Sequence, residues 1–180
     1  MPLPLDPSTL ARLGRGEVLV STEPKAGSKN PTLVVQAVIE AAPADVWAVI
    51  EDSSQYARFM PRVKKAEELL RDGNRIHTRV TVDMPFPLRN LTATTEVFHT
   101  EEPPSRFVRE WKQLSGDYRS NEGSWTLTTH EEDPARTYVL YAAHIEPKIP
   151  IPKKIQSAVQ ERAMPKMIDV IRAETARRRG

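Results

Sequence analysis

Arg109 carries the most chemical information in this sequence. In the run Arg106 to Leu114, Phe107, Arg109 and Trp111 share one strand parity, which expects a guanidinium among aromatic side chains on the inner face of a sheet. A buried guanidinium needs a partner or a bound oxygen function, because an unpaired buried charge costs several kcal/mol. Glu96 on the preceding strand is one candidate partner within the protein; a guanidinium that simply emerges at the rim and one that orients the polar head of a ligand are the other readings. Tyr118 and Tyr141 are candidate donors to a ligand carbonyl, since a buried phenol seeks an acceptor.

The remaining reactive residue types exclude more than they suggest. His77, His99, His130 and His144 fall on different strands without H-x-E or H-E-x-x-H spacing, so no metal site is expected. Alternation turns His77 and His144 outward. The chain has no cysteine, which removes thiolate chemistry and disulfides and fits a reducing compartment. No G-x-S-x-G elbow, phosphate-cradling loop or dinucleotide fingerprint is present, so no catalytic residue and no cofactor is assigned. The 26 basic and 24 acidic residues nearly cancel, which speaks against a nucleic-acid partner. One basic cluster stands out, Arg172 with Arg177, Arg178 and Arg179. It reads as a helix end whose cations complement the dipole, with transient contact with a membrane surface as the alternative. No apolar run approaches the roughly 20 residues of a membrane span, and the N-terminus lacks a signal-peptide pattern. The expectation is a soluble, cytoplasmic protein of undetermined oligomeric state.

Stepping along the chain gives the elements that must hold these residues. Residues 1–16 are proline-rich and weakly patterned, and read as an arm. A short strand follows over Glu17–Thr22, then a turn-rich loop from Pro24 to Pro31. From Thr32, Leu33, Val35, Ala37 and Ile39 alternate as a half-buried strand. Pro43 to Ile50 changes to helical spacing, and a second short helix over Gln55–Met60 stops before Pro61. Strand-like runs then succeed one another without intervening helices, the clearest being Arg75 to Met84, and a run from Arg136 to Glu146 completes them. A last helix from about Pro152 to Arg177 repeats Ile155, Val159, Ala163, Met167 and Ile171 every four residues, with a kink expected near Met164 because Pro165 lies inside it.

This order predicts an α+β helix-grip fold: a curved antiparallel β-sheet wrapped around a long C-terminal α-helix, with two short helices after the first main strand. A curled sheet touches a helix along a line and leaves space beside it. The candidate ligand-binding lining is Ala37, Val80, Val82, Arg109, Trp111, Trp125, Val139 and Tyr141 from the sheet, with Val159 and Met167 from the helix. Pro85, Phe86 and Pro87 form a candidate lid, or an ordinary rigid turn. On pattern alone, a dry core built from the same residues remains the competing reading.

Several segments resemble a known superfamily. Ala37 to Pro61, with an alanine-proline turn, a tryptophan-bearing helix, a tyrosine and a proline, is similar to the opening of START-like (SRPBCC) domains. Met84 to Asn90 resembles the proline-aromatic-proline loop and arginine of START lipid-transfer domains, with Asn90 where those carry an aspartate. Tyr118 to Leu127 resembles their glycine-tryptophan strand, and Thr137 to Arg172 their last strand and proline-bearing helix. The likeness covers about residues 31–175, so the chain divides into an N-terminal arm with a short strand and loop (1–30) and a START-like helix-grip domain (31–180). It implies binding or transport of a hydrophobic small molecule, lipid, sterol, quinone or polyketide-like, in an internal cavity. The alternative it implies is a polyketide aromatase/cyclase or dehydratase using the same cavity.

Overall fold

Alternation along Arg75–Val82 buries Ile76 and Thr78 while Arg75 and Arg79 stay exposed, and the same period places Leu91, Ala93, Thr95, Val97 and His99 inward on the next strand. A computed structural model of the chain, describing residues 2–180, assembles such strands into one eight-stranded antiparallel sheet. The strands are β1 (Leu19–Glu23), β2 (Thr32–Ile39), β3 (Val63–Asp72), β4 (Arg75–Val82), β5 (Leu91–Glu102), β6 (Arg106–Gly116), β7 (Tyr118–His130) and β8 (Asp133–Pro147). Their order is β1-β2-β8-β7-β6-β5-β4-β3, so β3 to β8 form a meander and only β2 crosses to pair with β8. Helix α2 (Pro43–Ile50), a 3-10 turn (Ser53–Gln55) and α3 (Tyr56–Phe59) follow β2 as expected. Among the described residues, no helix is long and apolar enough to cross a membrane.

The C-terminal run is helical throughout but not uniform: α4 (Lys153–Ala158), a π turn (Val159–Ala163) and α5 (Met164–Arg178). In a regular helix the ring of Pro165 crowds the carbonyl four residues back. The expected irregularity near Met164 takes the form of this wider turn just before the proline.

One end of the sheet is closed by packing. Val46, Trp47, Val49 and Ile50 of α2 share a core with Ile168 and Ile171 of α5 and with Phe107, Trp125, Leu127 and Val139 of the sheet. The C-terminal arginines hold α5 there: Arg172 donates to Val38 O (2.8 Å), Arg178 to Ala48 O (2.7 Å) and Arg179 to Glu40 O (3.2 Å). Arg177 and Arg178 also pair with Glu174, whose carboxyl they hold down at about 2.

The reading of the arm needs correction, and the outward His144 is covered. The unpatterned arm contains a helix, α1 (Pro7–Gly14), capped by Asp6 accepting from the Thr9 N–H and fastened by fully buried Leu13 against Leu19 and Val38. His144 is on the outer face but is not open to solvent. The Pro24–Pro31 loop folds over it, bringing Ser28 Oγ and Asn30 O to its Nε2 while Ser120 Oγ meets its Nδ1.

Candidate functional site

Where α2 and α5 no longer plug the sheet, its inner face and the helical run enclose a cavity of about 860 Å³. Val80, Val82, Leu91 and Ala93 form one wall, and Ile155, Val159, Met164 and Met167 the opposite one. Between them stands an aromatic wall: Tyr141 stacks on Trp111 with centroids 5.8 Å apart and meets Trp125 at 4.6 Å. The register explains it. Trp111 pairs across to Gly123, and a side-chain carbon on Gly123 would lie 2.6 Å from the Trp111 ring, so only glycine lets the indole lie down over β7. The Trp111 Nε1 donates to Asn121 Oδ1 (2.9 Å), which fixes the ring's direction.

A second cross-strand row carries the polar groups. Tyr141, Trp125, Arg109 and His99 are successive partners across β8, β7, β6 and β5. Arg109 is only 4% exposed, yet it lines the cavity. Its Nη1 donates to Glu51 O (3.0 Å) and lies 2.8 Å from His99 Nε2, while its guanidinium carbon is 5.8 Å from the Tyr56 ring centroid. Burial and then the Arg109 charge lower the His99 pKa to about 4. At neutral pH the imidazole is uncharged, so Nε2 accepts from the guanidinium and the ring proton is on Nδ1. Among the described residues, no carboxylate pairs with Arg109 and nothing hydrogen-bonds its Nε or Nη2. A guanidinium held this way can still offer donors to an oxygen atom in the cavity.

Glu96, a candidate partner for Arg109, is on the other face of β5. Being one residue from Thr95 and Val97, it points outward and accepts from Arg75 Nε (2.6 Å) with His77 Nε2 at 3.0 Å. Tyr118 and Tyr141 both line the cavity. Burial raises the Tyr118 pKa to about 12 and raises that of Tyr141 as well, so both hydroxyls keep their protons at neutral pH. No side chain among the described residues accepts from the Tyr141 hydroxyl.

Of the sequence candidates, Val80, Val82, Arg109, Trp111, Trp125, Tyr141, Val159 and Met167 meet around the cavity. Ala37 and Val139 do not reach it; they are buried at 0% and 1% in the core that α2 and α5 close. In the candidate lid, Pro85 is on the rim, whereas Phe86 is 96% exposed and turned to solvent, as is Pro87. Sequence reasoning missed His99, Tyr56 and Asn121. The inward parity of His99 with Val97 was available in the alternation; the positions of Tyr56 and Asn121 depend on the turn after α2 and on strand register. Among the described residues, no group of three His, Asp or Glu side chains gathers that could hold a metal ion.

No curated protein sequence matches the chain. Among solved structures, a STAR-related lipid transfer protein fragment from Xanthomonas axonopodis superposes with a TM-score of 0.74 at 19% identity, over 88% of this chain and 93% of the other. The Zhui aromatase/cyclase from a Streptomyces species gives 0.68 at 20% identity, over 83% and 95%. Human StAR-related lipid transfer protein 5 gives 0.76 at 11% identity, over 94% and 86%. At these identities the likeness is one of fold, and it is the curved sheet around a C-terminal helix described above. A sequence profile described as polyketide cyclase / dehydrase and lipid transport matches residues 39–172, most of the sheet together with the helix that closes it, and the chain therefore belongs to that family.

Proposed function

We propose that the protein binds, and carries, a hydrophobic small molecule in the cavity between the sheet and the C-terminal helix, with an oxygen function of the ligand at Arg109. The observation that supports this reading is the space itself: about 860 Å³, walled mostly by apolar and aromatic side chains, with one buried guanidinium at its inner pole. We read the protein as a cytoplasmic carrier, a location that cell fractionation tests. The binding test is native mass spectrometry after gentle purification, together with titration of the neutral dye phenylnaphthylamine. The expected result is an adduct in the mass spectrum or dye binding inside the cavity. Arg109→Ala should weaken an oxygen-bearing ligand roughly tenfold or more and leave the dye unaffected. The bare polypeptide mass combined with no dye binding would overturn the reading.

A polyketide aromatase/cyclase or dehydratase is the second reading, favoured by the Tyr141 hydroxyl. It keeps its proton, no group among the described residues accepts from it, and it is two strands from Arg109 in the same cross-strand row, about 10 Å away. Such a row would orient a chain of carbonyls, with the tyrosine as proton donor and the guanidinium stabilising enolate charge. Unchanged turnover of a poly-ketone substrate in both Arg109→Ala and Tyr141→Phe would sink it.

A further inference from the structure

Cations without counterions gather at the opening of the cavity. On the helical run, Lys154, Arg162 and Lys166 fall on one four-residue row, one position ahead of the apolar row of Ile155, Val159, Ala163 and Met167. All three are exposed and all three border the cavity. Arg62 faces the opening from the turn between α3 and β3, in a left-handed backbone conformation (φ 66°), and its carbonyl accepts from the Asp83 N–H (2.7 Å), which joins that turn to the end of β4.

Among the described residues, none of these four cations makes an ion pair. The contrast with the C-terminal cluster is sharp. Arg172, Arg177, Arg178 and Arg179 are each paired with a carboxylate. Among the described residues, Asp83 is the one carboxylate on the rim, and Glu161, beside Arg162 in sequence, borders a separate hollow beneath β1. Arg162 and Lys166, four residues apart on one helix face, repel each other. In a chain with 26 basic and 24 acidic residues, this leaves a positive rim around an apolar interior.

We infer that the mouth holds the anionic headgroup of an amphiphile whose tail fills the cavity. The ligand class is an acid, carboxylate or phosphate, whose charge stays at the surface while an uncharged oxygen function further along its chain meets Arg109; the saturated probes below test the charged end alone. This rests on the reading of the cavity as a hydrophobic ligand site and adds to it the charge and direction of the ligand.

The test compares laurate, dodecyl phosphate and dodecanol, three probes with the same tail, by quenching of tryptophan fluorescence below their micelle concentrations. Both acids are expected to bind roughly tenfold tighter than the alcohol. The advantage should shrink as sodium chloride rises from about 50 to about 500 mM, because exposed charges are screened. In the double variant Arg162→Glu/Lys166→Glu the acids should fall to the affinity of dodecanol, which still binds. A larger loss for dodecyl phosphate assigns a phosphate head, a larger loss for laurate a carboxylate, and equal losses the shared anionic charge. Acids binding no tighter than dodecanol would overturn the proposal. So would a preference that survives in the rim variant and disappears in Arg109→Met, since the head would then be at the inner pole. If dodecanol also fails to bind, the hydrophobic-cavity reading falls with it.

Discussion

Arg109 and His99 face each other across β6 and β5 and share one hydrogen bond, so the fixed charge of the first adds to burial in keeping the second neutral. Burial and the guanidinium hold the His99 pKa at about 4, below its ordinary 6.5. Between those values the unfolded chain takes up a proton that the native state refuses, so this histidine lowers stability as pH falls from about 6.5 to about 4 and adds no further loss below that. Urea midpoints at neutral pH and near pH 4.5 should therefore diverge more for the wild type than for His99→Gln; an identical divergence would mean that the imidazole is not held neutral. Gly123 tests the aromatic wall in the same way. A methyl there meets Ala142 O and the Trp111 ring, so Gly123→Ala must displace the indole into the cavity. We expect a loss of about 1–3 kcal/mol in urea unfolding, with a shifted tryptophan emission and weaker ligand binding. A variant as stable as the wild type with unchanged emission would show that the indole does not lie over β7.

At the scale of elements, the sequence shows most where one face is wet. Strict alternation in Arg75–Val82 identifies β4 and its buried side, and the unbroken succession of strand-like runs points to the antiparallel meander. The same periodicity says nothing about how far along a strand the cover extends. Ala37 and Val139 have the inward parity of the cavity wall, yet α2 and α5 plug the sheet at their level. Glu96 was a candidate partner for Arg109 because it is on the preceding strand, whereas a single step in parity sends it to the opposite face. Helix α1 escaped notice because eight residues, barely two turns, are too few for a helical period to stand out in a proline-rich stretch, and such a short helix owes its stability to tertiary contacts. Its local markers were the Asp6-Pro7 start and Gly16 just past its end, which takes a left-handed conformation (φ 87°). Those contacts can be weighed: Leu13→Ala empties a fully buried site against Leu19 and Val38 and should lower stability by about 2–4 kcal/mol, measured by urea unfolding. A loss of only a few tenths would make α1 a loosely attached arm after all.

For the molecule as a whole, the same sheet serves two regimes. Its closed end, under α2 and α5, is packed with large apolar side chains, whereas the other end keeps apolar walls apart around about 860 Å³. The closed end supplies stability that does not depend on a guest, so the ligand-free protein should fold. The open end lacks the contacts that a filled interior would make. A ligand that binds only the native state then raises stability by RT ln(1 + [L]/Kd), about 2.7 kcal/mol at a hundredfold excess over Kd. For a chain of this length that corresponds to a rise in Tm of roughly 5–10 °C. Val159→Asp is the matching control, because Val159 lines the cavity from the π turn while being 37% exposed. The added carboxylate can be solvated in the free protein but is desolvated by an apolar guest. Thermal melts should show the ligand-free Tm of this variant close to that of the wild type and its ligand-induced rise largely lost. A wild-type Tm that stays fixed at saturating concentrations of every apolar probe would mean that helix and sheet close the gap in solution.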